Sequence, residues 1–141
     1  LDIEIALENG RIDILLYNNK TQTLKFIEAK DYSNKELWSK IGTKPKVSKQ
    51  IEKYNDDLTK FCDDILEEYK KYILHLNNFF GLKINEPIKI IETTSLYMFG
   101  FDQNQKAKIE KLLKNDNSLE NINYYFNGDA RKINVETLFS K

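Results

Sequence analysis

A single cysteine, Cys62, and a single histidine, His75, occur in the 141 residues. One cysteine excludes an internal disulfide and any four-cysteine metal cluster, and one histidine excludes sites built on two imidazole ligands. Both fall in a strongly helical stretch and read as ordinary helix residues. The cysteine count fits a reducing, cytoplasmic setting. No apolar run reaches the roughly 18 residues that a membrane helix needs, and no signal-peptide pattern opens the chain, so no membrane partner is expected. An excess of either charge is also missing. Lys plus Arg and Asp plus Glu both number 22, so the chain as a whole is not a basic nucleic-acid binder. Repeats, low-complexity tracts and linkers are absent.

With 40% hydrophobic and 31% charged residues, the composition is that of a folded domain rather than a disordered chain. Its length suits one domain, residues 1–141, with a real core. The first residue is Leu1 rather than Met, which leads to the expectation of a piece of a larger polypeptide. Charge is uneven locally. Lysines at 35, 40, 44, 46, 49 and 53 face only Glu36 and Glu52. That excess reads first as a solvated helix face and second as a set of phosphate contacts.

Residues 2–8 (DIEIALE) alternate, with Ile3, Ile5 and Leu7 on one face, and Asn9-Gly10 follows as a hairpin signal. Residues 11–17 (RIDILLY) and 23–30 (TLKFIEAK) make two further strands around a turn at 18–22, giving a three-stranded antiparallel meander. A short helix is expected around Lys35–Ile41, with Gly42 and Pro45 as punctuation. From Val47 to Phe80 apolar residues recur at helical spacing, which predicts one long helix or two with a kink, stopped at Gly81. Residues 87–101 are strand-rich with a break near Thr93–Ser95. Residues 103–114 form a helix. Residues 122–126 and 132–138 read as closing strands around Asn127-Gly128. The order βββαβαββ predicts an α+β or mixed α/β domain.

The third strand raises the chemical question, because Glu28 and Lys30 share a face with Leu24 and Phe26 where apolar side chains would bury more easily. Asp13 sits likewise inside the apolar second strand. Opposed residues in an antiparallel pair have numbers of constant sum. A turn centred between Lys20 and Thr21 gives 41, which places Asp13 directly opposite Glu28; a sum of 39 would set them diagonally on one face and an even sum on opposite faces, and two-residue hairpins favour the odd sums. Cβ atoms in directly opposed pairs stand about 4.5–5.5 Å apart. Two half-buried carboxylates that close repel unless a cation or a proton intervenes, and oxygen ligands suit Mg²⁺. Lys30 beside them can orient a water and stabilise developing negative charge. Two carboxylates and a lysine around one cation make a phosphodiester-hydrolysis site, with the Ala29 carbonyl as a further metal ligand. A two-residue Asn9-Gly10 turn would bring Glu4 to the same face as an auxiliary acid, although a solvent-facing glutamate is the commoner reading. Glu-x-Lys alone is uninformative. A second copy, Glu68-Tyr69-Lys70, lies in the helical stretch and reads as a solvated face. Gln50 and Tyr54, at i and i+4, share one side of the helix that packs through Ile51, Tyr54 and Leu58. Gln50 is expected to reach the edge that carries Glu28 and Lys30.

GRID (Gly10–Asp13), IEAK (Ile27–Lys30) and QIEKY (Gln50–Tyr54), in that order, resemble the PD-(D/E)XK nuclease superfamily. The resemblance covers roughly residues 1–99 and implies a restriction-endonuclease-like core of pattern αβββαβ, of which βββαβ is legible here. The leading helix is missing and is expected upstream of Leu1. Members with iron–sulfur clusters need several cysteines, so that branch does not apply. Carried over, Asp13 and Glu28 would be metal ligands, Lys30 the catalytic lysine, and Gln50 and Tyr54 supporting or substrate-contacting residues. The cofactor implied is Mg²⁺, with Mn²⁺ as a substitute.

The leading expectation is a metal-dependent nuclease hydrolysing phosphodiester bonds in nucleic acid, DNA before RNA, of a defence, restriction or repair type. The alternative is the same fold without catalysis, used for nucleic-acid binding or protein interaction. Cutting both strands needs two sites, which a homodimer would supply. Trp38, Tyr97 and Phe99 are candidates to stack on bases, but read first as packing residues.

Overall fold

The computed structural model describes residues 2–39, 43–115, 119 and 121–139. Lys40, Ile41 and Gly42, which end the expected short helix and mark the boundary after it, lie outside the described residues. Among the described residues a five-stranded mixed sheet and three α-helices form an α+β architecture. The sheet order is β1 (Asp2–Leu7), β2 (Gly10–Asn18), β3 (Thr23–Asp31), β4 (Lys89–Phe99) and β5 (Tyr124–Asn127). The first three strands are antiparallel, as alternation and short turns require. β4 runs parallel to β3 and β5 parallel to β4. Parallel neighbours need long crossovers, and two helical segments supply them.

The first crossover is not one helix but two, α1 (Lys46–Lys60) and α2 (Cys62–Phe80). They part at Phe61, whose φ of −112° and ψ of 20° leave the helical region. Pro45 precedes α1, and Gly81 ends α2 in the left-handed conformation at φ 64°. The second crossover carries α3 (Gln103–Asn115), opened by Asp102 and Gln105, each of which accepts the other's backbone N–H.

Period-two alternation gives β3 two different faces. Leu24 and Phe26 pack with Ile12, Leu15, Tyr54 and Leu58 beneath α1 and α2. Ile27 turns the other way, to Tyr97 and Leu138. Lys25, on that second face, is fully buried; its ammonium donates to the Tyr125 hydroxyl and the Leu138 carbonyl. The expected closing strand at 132–138 is absent. Asp129 and Asn134 side chains accept the N–H groups of Arg131 and Glu136 and set up two 3-10 turns, Ala130–Lys132 and Val135–Phe139. These turns, not a sixth strand, cover the second face.

The first hairpin differs from expectation by two residues. Opposed numbers add to 17, as in Leu7 with Gly10, so Glu8-Asn9 is the turn and Gly10 begins β2. Gly10 has φ 150°, and a Cβ there would lie 3.2 Å from the Tyr54 ring. Asn9 is held from across the fold: its N–H and its side-chain amide donate to the Asp57 carboxylate at 2.9 and 2.6 Å. Asp57 is 2% exposed. Asp57→Ala strands both donors and is expected to cost about 2–3 kcal/mol. Urea denaturation should show a lower midpoint, with partial recovery in Asp57→Asn, which keeps one acceptor. An unchanged midpoint for Asp57→Ala would refute the clamp. No helix among the described residues is long and apolar enough to cross a membrane.

Candidate active site

β2 and β3 pair with a sum of 41, from Asn18 with Thr23 to Ile14 with Ile27. The ladder stops there, one residue before Asp13 and Glu28. Past that point β3 continues, paired with β4 through Asp31 and Phe99. The two strands therefore part at the position where the register sets Asp13 against Glu28. β2 also bends here, since Ile12 and Leu15, three residues apart, bury in the same cluster while Ile14 faces the other. The Asp13 carboxylate fills part of the opening: its Oδ2 accepts the Ala29 N–H at 2.8 Å. Ala29, expected to offer its carbonyl to a metal, is thus seen to contribute its N–H to Asp13.

Glu28 is 1% exposed, on the helix side of the sheet. Its Oε1 meets the Lys30 ammonium at 2.6 Å. Among the described residues no donor meets its Oε2. Burial pushes the Glu28 carboxyl up to about 7; the hydrogen bond and charge of Lys30 pull it down, and the charge of Asp13 raises it again. Lys30 is 8% exposed and holds a second carboxylate, Glu36 Oε2, at 2.9 Å. Burial opposes its charge, but the hydrogen bonds to Glu28 and Glu36 outweigh burial and raise its pKa. Glu36 stands on a 3-10 turn, Lys35–Leu37, opened by Asn34, whose side chain accepts the Glu36 N–H. Sequence reasoning counted Glu36 only as a charge among the lysines. The signal for it was Asn34, an N-cap residue two positions earlier that places Glu36 in a first helical turn.

Gln50 and Tyr54 lie together on α1 as expected. Gln50 donates to the Tyr54 hydroxyl at 2.6 Å, and that hydroxyl donates to the Arg11 carbonyl at 2.5 Å. They tie α1 to the strand that carries Asp13. Gln50 reaches the site through Tyr54 and not by a direct bond to Glu28 or Lys30 among the described contacts. Glu4 takes the commoner of its two readings, a solvent-facing strand glutamate. The register sets it opposite Asp13, but its φ of 53° turns the side chain out, 73% exposed, to Arg11 at 3.7 Å. The structure does not bring its carboxylate to Asp13 and Glu28. The same left-handed residue breaks the alternation of β1, leaving Ile3 73% exposed while Ile5 and Leu7 reach the core. The second Glu-x-Lys copy is a solvated helix face, where Glu68 pairs with Lys71 and Lys70 with Glu67. The three aromatic candidates pack: Tyr97 stacks on Phe99 at 5.8 Å, and Trp38 donates to the Tyr32 carbonyl.

The only cation these residues could hold is one that takes few protein ligands. Among the described residues no cage of three or more Asp, Glu, His or Cys gathers. Mg²⁺ does not need one; it commonly binds through one or two carboxylates, keeps several waters and takes phosphate oxygens. Asp13 and Glu28 are the two carboxylates that could serve in this way, with Asp13 Oδ2 taken by the Ala29 N–H and Glu28 Oε2 unpartnered among the described residues. Comparison with protein-family models, with curated proteins and with solved structures finds no match.

Proposed function

We propose that the protein is a Mg²⁺-dependent nuclease of the PD-(D/E)XK type, hydrolysing phosphodiester bonds in DNA. The observation that carries this reading is the parting of β2 and β3 at Asp13 and Glu28, with Lys30 one turn of the pleat further along. A fold built only for stability gains little by burying a carboxylate with an unmet oxygen beside a lysine. In the proposed site Asp13 and Glu28 hold the cation, which when bound polarises a phosphate and acidifies a water. Lys30 keeps its proton and faces the phosphate oxygen where negative charge develops. Glu36 holds the ammonium in place, and Gln50 and Tyr54 fix α1 against β2.

The test is incubation of linear, circular and single-stranded DNA, and of RNA, with Mg²⁺ or Mn²⁺ and with chelator. Thermal melting with each metal is measured alongside. Metal-dependent cutting together with a metal-dependent rise in melting temperature is expected. Neither cutting nor a melting shift with either metal would overturn the reading and favour the non-catalytic alternative.

A further inference from the structure

Beside the site, an open groove of about 480 Å³ runs between the β1–β2 turn and α1, and Glu36, Gln50 and Tyr54 line it together with Lys46, Lys49 and Lys53. We propose that this groove is a backbone track: the three lysines hold successive phosphates of one nucleic-acid strand next to the scissile one and read no bases. The inference rests on the nuclease reading for the placement of the scissile phosphate.

Three observations support it. First, spacing: at about 1.5 Å per helical residue, Lys46 to Lys53 spans roughly 10 Å, the rise of about three nucleotides along one strand of a duplex. Second, charge. Neighbouring lysines are neutralised within the fold, Lys44 by Glu52 at 3.0 Å and Lys60 by Glu8 at 2.7 Å. The three that line the groove meet no carboxylate among the described residues, and the acid beside them, Glu36, is taken by Lys30. Third, the other polar groups that line the groove are held within the fold by at least one contact each, Arg11 standing 3.7 Å from Glu4. Asn9 donates to Asp57, and Gln50 donates to Tyr54. What the groove offers free of a partner among the described residues is three exposed ammonium groups, point charges suited to phosphate contact more than to the bidentate reading of base edges.

The experiment measures anisotropy of two labelled oligonucleotides of unrelated sequence, single-stranded and duplex, against salt. Glu28→Gln serves as the non-cutting parent, and Lys46→Gln/Lys49→Gln/Lys53→Gln is added to it. Each lost contact should flatten the slope of log K against log salt by about 0.7–0.9, so the triple variant by roughly 2–3, and weaken binding about five- to eightfold per lysine near 0.1 M salt. The loss should be equal for both sequences, and Lys44→Gln should leave the slope unchanged. Circular dichroism checks that the triple variant is folded. An unchanged slope, a loss confined to one sequence, or no binding by the parent overturns the track. Wild-type cutting with an unchanged slope removes the track and leaves the nuclease standing. Lysine-dependent binding without cutting by wild type does the reverse.

Discussion

Glu28→Gln is expected to lower metal-dependent cleavage roughly 10³-fold, about 4 kcal/mol of barrier, the scale set by losing one preorganised charged contact at a reacting centre. The substitution keeps shape and volume, so the β3–β4 ladder and the packing against α1 survive. It removes the charge that would hold a cation and leaves Lys30 with one carboxylate, Glu36, in place of two. Lys30→Ala should fall comparably by a different route, keeping metal binding and losing the ammonium at the developing charge. Single-turnover rates separate variant from wild type, and melting shifts with Mg²⁺ separate the two variants from each other. Glu28→Gln should lose the shift and Lys30→Ala should keep it. Cleavage by Glu28→Gln within tenfold of wild type would remove Glu28 from the site.

The same side chain makes stability fall as the solution becomes less acidic. In the folded protein the Glu28 carboxyl is held at about 7, against an ordinary 4.5, chiefly by burial. The folded state therefore binds the proton more tightly than the unfolded chain. Its contribution is full below pH 4.5 and is lost as pH rises through about 7. That gap corresponds to roughly 3 kcal/mol. Without metal, urea midpoints of wild type should decline between pH 4.5 and 8 relative to those of Glu28→Gln, which carries no proton to lose. Mg²⁺ should narrow the difference at the upper end, since a ligand at 100 times its dissociation constant contributes about 2.7 kcal/mol to the state it binds. Parallel curves for the two proteins would contradict a buried, proton-holding Glu28. The variant that cuts least would then also be the more stable at neutral pH, as is common where a site is held under electrostatic strain.

The central part of this site was legible because strand periodicity and a short turn fix a register. The apolar pattern of residues 11–17 and 23–30 admits a sum of 41, and the β2–β3 ladder has it. Glu4 keeps its place on the Asp13 face in either register and turns out to solvent only because of its φ of 53°; the turn itself was misplaced because Asp57, 48 residues away, claims Asn9 and moves it back. No window of sequence contains that contact. Residues 132–138 alternate well enough for a strand, but Asp129 and Asn134 cap turns, and a local side-chain acceptor competes with the ladder and wins. The break at Phe61 carries no proline or glycine and leaves the apolar period intact, so only the option of a kink was readable. The break expected near Thr93–Ser95 is not there: β4 runs unbroken from Lys89 to Phe99, and what the sequence marked is a bulge. Between Lys25 and Ile27 one residue of β3 faces three of β4, and the freed Thr94 N–H is taken by Asn55 of α1.

The parallel pairing of β3 with β4 has a consequence for the order in which the candidate site is assembled. β1, β2 and β3 meet through turns of a few residues, whereas β4 reaches β3 only after both helices, Thr23 pairing with Lys89. Closing so long a loop is slow and comes after the local hairpins. During synthesis the hairpin bearing Asp13, Glu28 and Lys30 exists before anything braces the far end of β3, where the ladder to β2 has already stopped. Any hydrolytic competence of the proposed site therefore waits on the pairing of β3 with β4, and a chain interrupted before Lys89 carries the side chains without the geometry that braces them.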